Sequence, residues 1–458
     1  MAPALRKVIF HILGVVFFAP GAPAAPPSAR PWWSLDYDPH LATLGVRPDW
    51  SKLDAFQGTI SKDSFVRLMR DLYSSPAGGW EQWIKVGDDG ADIVTEAANP
   101  AKTFRLRFAT ADLTPLHRPW RAPGQLGVPR DPAKPLTGMK IVIDPGHIGG
   151  AWGRMEERFF QIGKAAPVLE GNLTLLVATR LQARLRLAGA EVVVVRPSLE
   201  PVSVLRPRGL TDYTKALLKQ AGLAEPPEGT VDRTRNHIFA VNAEIRARAA
   251  LVNNIVKPDL ALCLHFNAEP WGKEDRPAFS KKNHLHAIVD GCVLPAEWAN
   301  DDERFETILR LLQRSHEVEH GLAAMTAASL ASVTRLPPYD YPGLNARTTS
   351  ASTYVWARNL LATRLYQCPV VFLEPHVMNN KLTYARIQAG AYEGTKRFGG
   401  LARANLFDEY AEATASAVIG WYAANRKPAE LPPTPDRTDP TDPADRSDPK
   451  NQPAPKAP

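Results

Sequence analysis

The chain has 458 residues, 44% of them apolar and 22% charged, which is enough to bury a large core and excludes a fibrous or wholly disordered protein. Its net charge of +7 suits an anionic partner such as a cell-wall polymer or a membrane surface, and is equally read as a solvated basic surface. With no Lys/Arg block and no basic stretch interleaved with aromatics, no nucleic-acid partner is expected, and three cysteines are too few and too odd for a disulfide framework.

Arg6 and Lys7 precede an apolar run from Val8 to Ala19, and Ala22-Pro23-Ala24 follows among small residues. This layout reads as a secretory signal peptide over residues 1–24, so the protein is expected to be secreted, in the periplasm. The run is short for a membrane span, and the alternative is an uncleaved anchor. Residues 25–49 read as a linker.

Residues 50–120 read as a small α+β module. Phe65, Leu68, Met69 and Leu72 recur at helical spacing within a helix from Ser61 to Tyr73. Strand character follows at Gln82–Val86, Ala91–Glu96 and Thr103–Phe108. Residues 121–137, rich in proline, read as a second linker.

The main domain, 138–424, begins with the apolar strand Lys140–Asp144. A helix from about Pro167 to Ala188, a strand at Glu191–Val195, a helix from Arg233 to Asn254 and strands at Asp259–Leu264 and Pro369–Leu373 follow. Short apolar strands alternating with helices predict an α/β fold: a mostly parallel sheet with helices on both faces, preceded by the α+β module. Two stretches, 198–232 and 271–345, read as insertions. The second contains a strand at Leu285–Val289 and a helix from Asp302 to His320. Residues 428–458 are Pro, Asp, Thr and Lys with almost no apolar residue and read as a disordered tail.

Four residues stand at the carboxyl ends of these strands or in the first turn of the first helix, where open α/β sheets bind ligands. His147 follows the first strand in Asp144-Pro145-Gly146-His147-Ile148-Gly149-Gly150, His265 follows Leu260–Leu264, and Glu374 follows Val370–Leu373. Glu170 shares a helix face with Leu173, Val177, Leu181 and Ala188, so its carboxylate lies on the stripe that packs on the sheet. A carboxylate placed there needs a partner, and a cation supplies one. Two histidines and a carboxylate with an open fourth position suit a catalytic zinc ion, and a further carboxylate, Glu374, suits proton transfer.

The block Ile141 to Gly150 resembles the strand-and-loop signature of the bacterial zinc-dependent N-acetylmuramoyl-L-alanine amidases. The resemblance extends to Leu169-Glu170-Gly171-Asn172-Leu173 with Gly189 to Arg196. It continues to Arg248–Asn253 with Asp259 to Ala268, and to Pro369-Val370-Val371-Phe372-Leu373-Glu374 with Asn380. It implies that His147, Glu170 and His265 hold one Zn2+ and that Glu374 is the catalytic acid/base. Arg248, Asn267 and Asn380 are then expected to contact substrate, which is peptidoglycan, cut between N-acetylmuramic acid and L-alanine. The chain departs from the pattern at Ile148, Cys263, Phe266 and Pro375-His376, none of which removes a ligand. His376 is weighed as a substrate or metal contact against an ordinary loop histidine.

The helix from Asp302 to His320 is expected either to cover the zinc until a regulatory protein partner removes it, or to form a groove wall. Two other functions fit the same residues: a zinc carboxypeptidase acting on wall peptides, and a non-catalytic wall-binding protein. The sequence does not give the oligomeric state.

Overall fold

The computed structural model describes residues 33–426 apart from 271, 274 and 275, and only the backbone of 272, 273, 276 and 277. The expected signal peptide and tail lie outside these residues. Among the described residues no helix is long and apolar enough to cross a membrane.

The small module is built as its periodicity predicts. Ser61 caps α1 (Lys62–Leu68) by accepting from the Ser64 amide, and the helix runs on as a wider π turn over Met69–Tyr73. β1 (Ile84–Val86), β2 (Gly90–Val94) and β3 (Thr103–Arg107) form an antiparallel sheet. The module's apolar residues, among them Phe65, Met69, Ile93 and Leu106, join one core with Ile308 and Leu312 of the second insertion. Buried Arg304 donates to Val94 O (2.7 Å) and Arg314 to Thr59 O (2.7 Å), so the module braces the main domain through polar contacts as well.

A seven-stranded sheet forms the main domain. Its strands are β4 (Lys140–Pro145), β5 (Glu191–Val194), β6 (Leu260–Leu264), β7 (Leu285–Val289), β8 (Arg347–Thr349), β9 (Ser352–Ala357) and β10 (Val370–Pro375). They lie in the order β8-β9-β7-β10-β6-β4-β5. β10, β6, β4 and β5 run parallel; β7 pairs antiparallel with β10 and parallel with β9, and β8 closes the edge antiparallel to β9. The result is the mostly parallel α/β sheet the strand spacing predicts.

Because successive side chains alternate between faces, each continuously apolar strand feeds two cores. On one face Ile141, Ile143, Leu262 and Leu373 pack under α2 (Glu170–Leu187), α7 (His316–Thr334) and α9 (Leu406–Asn425). On the other, Val142, Ala261, Cys263 and Phe372 meet Ile238, Phe239, Ile245 and Val252. These last residues lie on one helical path made of α4 (Glu228–His237), a π turn, α5 (Glu244–Ala250) and a second π turn ending at Val256.

The first insertion supplies α3 (Thr211–Gln220) on this second face. Leu44, ahead of the small module, is held there too: its amide donates to Tyr213 Oη (2.8 Å), and its side chain is fully buried. All three cysteines are buried and free.

The helix expected from Asp302 to His320 is two helices, α6 (Asp301–Gln313) and α7, broken where Arg314 adopts a left-handed backbone, φ +56°. Ile308, Leu311, Leu312 and Leu322 all sit in the core. The expectation that this segment covers the zinc is therefore corrected: an amphipathic stripe with charged flanks describes a helix buried between the module and the sheet equally well.

Candidate active site

The carboxyl ends of β4, β6 and β10 open into a cavity of about 220 Å³. Its lining includes His147, Glu170, His265, Asn267 and Glu374, four of them anticipated as ligands or catalyst and one as a substrate contact.

His147 sits two residues past β4 with a left-handed backbone, φ +61°. Its Nε2 lies 2.9 Å from Glu170 Oε2. On the other side of the ring, Nδ1 lies 3.6 Å from Glu156 Oε2, and Glu156 Oε1 accepts from the Ile148 amide (2.6 Å). His265 directly follows β6, with its Nδ1 3.3 Å from Glu170 Oε1 and its ring stacked on Phe372 at 4.2 Å. Glu170, the first residue of α2, also accepts from the Phe266 amide (2.9 Å).

Two close approaches make this possible. A Cβ on Gly146 would stand 2.3 Å from the His265 ring, and a Cβ on Gly171 would stand 2.0 Å from Ile148 O. Glycine at both positions lets the loop, the helix end and the imidazole meet.

Buried Arg196, just past β5, then gathers the loop. It donates to Gly171 O (2.7 Å), Gly146 O (3.2 Å), Pro145 O (3.3 Å) and Ser198 O (2.9 Å), and Thr174 Oγ1 donates to Gly146 O (2.6 Å). Burial pushes the Arg196 pKa down to about 9, which still leaves it charged near neutrality.

His147, Glu170 and His265 thus bring three buried ligand atoms within 4.8 Å of one another. Burial holds the His147 imidazole down at about 3, which keeps the ring neutral and its lone pair available. Burial alone would push the Glu170 carboxyl up, but the adjacent His147 and His265 outweigh it and hold the group ionised. Two imidazoles and one carboxylate, enclosed but with one side facing a cavity, fit a zinc ion with an open coordination position.

Glu374 stands on β10, directly opposite His286 of β7 in the antiparallel register. Its Oε2 lies 3.1 Å from His286 Nε2 and accepts from Asn267 Nδ2 (3.0 Å). Burial raises its pKa, while the His286 hydrogen bond and the nearby histidines bring it below the ordinary carboxylate value. His286 Nε2 also lies 2.8 Å from Tyr341 Oη.

In the sequence His286 was marked only by its place on the strand Leu285–Val289. Its partner appears once β7 is seen to pair with β10. Arg158, Tyr339, Tyr341 and Arg358 complete the polar lining and had no sequence signal.

Two other expectations are corrected, for Arg248 and Asn380, and of the two readings of His376 the loop histidine is the one that fits. Arg248 is fully buried on α5 and does not reach the cavity: it pairs with Asp144 at the end of β4 and donates to Pro145 O (3.2 Å). Asn380 caps α8 (Lys381–Gln388), accepting from the Leu382 amide (3.0 Å) and donating to Ser280 O (3.2 Å). His376 is buried beside Phe266, outside the cavity lining, where burial lowers its pKa to about 3.

A sequence model of the N-acetylmuramoyl-L-alanine amidase family matches residues 141–396. No curated protein matches the chain. Among solved structures, the N-acetylmuramyl-L-alanine amidase of Mycobacterium smegmatis is similar over 63% of this chain and 99% of its own, at 16% identity and a TM-score of 0.36. The catalytic domain of the amidase from Bacillus (Paenibacillus) polymyxa var. colistinus is similar over 62% and 97%, at 15% identity and 0.33. The amidase of Clostridium difficile 630 is similar over 62% and 96%, at 13% identity and 0.31.

Proposed function

The chain belongs to the N-acetylmuramoyl-L-alanine amidase family, and from that premise we propose that it is a zinc-dependent periplasmic enzyme that hydrolyses the amide joining N-acetylmuramic acid to L-alanine in peptidoglycan. The observation that carries the reading is the convergence of His147, Glu170 and His265 on one point of a cavity that also holds Glu374. A zinc ion held by these three residues supplies Lewis acidity toward the scissile carbonyl and toward water.

The chain's own residues supply the rest. Glu374, ionised and held by His286 and Asn267, takes the proton of the attacking water at Oε1 or Oε2 and returns it to the leaving amine nitrogen of L-alanine. Asn267 fixes the carboxylate's direction, and its own orientation is fixed by donation from the Ala268 amide to Asn267 Oδ1 (2.7 Å). Arg196 holds the loop that carries His147 against the end of α2 that carries Glu170. The basic net charge and the N-terminal signal layout support an anionic wall outside the cytoplasm as the place of action.

The test is the metal content of the purified protein, set beside dye release from labelled sacculi. One zinc per chain, lost together with dye release in His147→Ala and His265→Ala, is the expected result. A protein that releases dye after both substitutions, without bound zinc, overturns the reading.

A further inference from the structure

One cation at the cavity has no place in the proton transfer. Arg358 directly follows β9, and its backbone N–H donates to Val289 O (3.1 Å), so the root of its side chain is fixed to the sheet. Its guanidinium lies over the Tyr341 ring, 5.5 Å from the centroid, with Nη1 3.5 Å from Tyr341 Oη. Among the described residues it makes no ion pair. Three buried arginines of the same domain do: Arg304 pairs with Asp301 (2.6 Å), Arg310 with Glu319, and Arg364 with Glu303 (3.0 Å) and Glu306 (2.7 Å).

Neighbouring groups do not neutralise Arg358 either. Burial raises the Tyr341 phenol, so Tyr341 offers no phenolate. Glu374 is engaged by His286 and Asn267. A half-buried guanidinium without an anion, facing the space where substrate enters, is a ready carboxylate site, because a planar fork of donors matches a carboxylate. Tyr339 and Tyr341 wall it with apolar ring faces and add one hydroxyl each.

Size narrows which carboxylate this is. The cavity of about 220 Å³ is smaller than the roughly 300–1,000 Å³ typical of sites for drug-sized ligands. An extended residue spans about 3.3–3.6 Å, so only the residues next to the scissile bond lie inside. L-alanine has no charge of its own once its amine is acylated, and the first free carboxylate belongs to the residue after it.

Resting on the amidase reading above, we infer that Arg358, walled by Tyr339 and Tyr341, binds the free carboxylate of the second residue of the stem peptide. The enzyme thereby selects acidic stems over amidated ones. The residue follows the strand pair β8 and β9, so the groove-wall role expected of the helix from Asp302 to His320 falls to residues 339–358 instead.

Two muropeptides that differ only at the second residue, D-glutamate in one and its amide D-isoglutamine in the other, test this with the zinc-loaded full chain. The wild type is expected to turn over the acid with kcat/KM about tenfold higher than the amide, mainly through KM, the size expected for a hydrogen-bonded charge. Arg358→Gln is expected to abolish the preference and Arg358→Lys to keep part of it. Equal efficiencies in the wild type, or an undiminished preference in Arg358→Gln, overturn the inference. Calorimetric affinities of both muropeptides for Glu374→Gln read the preference without turnover. A preference in binding with no cleavage of either compound by the wild type would overturn the amidase reading and leave the subsite standing.

Discussion

Gly171→Ala is the sharpest probe of how the fold assembles the metal ligands. The new Cβ would lie 2.0 Å from Ile148 O and 2.4 Å from Ile148 C, some 1 Å inside the 3.0 Å that Cβ atoms keep from other heavy atoms. Both neighbours are backbone, so no side chain can rotate away; the start of α2 must separate from the His147 loop by about that distance.

Alanine is the better helix former by about 1 kcal/mol, which opposes the effect, but overpacking of this kind costs about 1–3 kcal/mol. The consequence for the metal is larger. Glu170, the preceding residue, is 2.9 Å from His147 Nε2 and 3.3 Å from His265 Nδ1. Metal sites tolerate ligand shifts of about 0.2 Å. A shift of about 1 Å should therefore weaken zinc binding by at least the roughly 10–100-fold typical when a supporting contact is lost.

Competition against a chromophoric chelator reads this affinity, and a thermal melt of the apo protein reads the stability cost. Gly229→Ala in α4, whose nearest neighbour is the tip of Arg233 at 4.0 Å, is the control and should leave zinc binding unchanged. If Gly171→Ala bound zinc within twofold of the wild type, the close approach of loop and helix would not be what places Glu170.

Other outcomes follow from the same geometry. Glu374→Gln should keep its zinc and lose turnover by about 10²–10⁴-fold, read by metal analysis beside initial rates; a variant that loses both would make Glu374 a ligand. Removing the His286 hydrogen bond in His286→Ala should lower kcat about tenfold or more with KM nearly constant, since the contact is to the proton carrier and not to substrate. Leu312→Ala should destabilise the protein by about 2–5 kcal/mol in denaturant titration, because α6 is core and not a removable lid. Burial holds His316 down at about 3, against its ordinary 6.5. Its contribution is therefore present above pH 6.5 and lost as pH falls toward 3, at up to about 1.4 kcal/mol per pH unit. His316→Leu should flatten the stability profile in that window by about one proton, checked by melts across pH 4 to 7.

Much of this architecture was legible before the structure. Short continuously apolar runs such as Ile141–Ile143 and Leu260–Leu264 suit strands covered on both faces, and they form adjacent parallel strands. The stripe Leu173, Val177, Leu181 and Ala188 is buried as its spacing requires, and it carries Glu170 to the sheet. Four residues far apart in sequence could be placed together because three sit at the carboxyl ends of strands and Glu170 begins the helix whose buried stripe packs on the sheet.

Pairings that depend on tertiary register were not legible. β8 and β9, Arg347–Thr349 and Ser352–Ala357, are short and partly polar, so periodicity does not mark them, and with them Tyr341 and Arg358 went unseen. Arg248 illustrates the opposite error. The resemblance implied a substrate contact there, and only packing shows that Asp144 already holds Arg248 inside. Asn380 misled for a related reason: an asparagine that begins a helix is first a cap, and its side chain is consumed by the Leu382 and Thr383 amides. The break between α6 and α7 at Arg314 had no glycine to announce it.

The most direct measurement of the central claim is the mass of the products released when the zinc-loaded protein digests purified sacculi. Cleavage at the muramyl amide predicts intact stem peptides with a free N-terminal alanine, and glycan that has lost whole peptides and nothing else. Peptides shortened from their carboxyl end, with alanine still joined to the glycan, would contradict it.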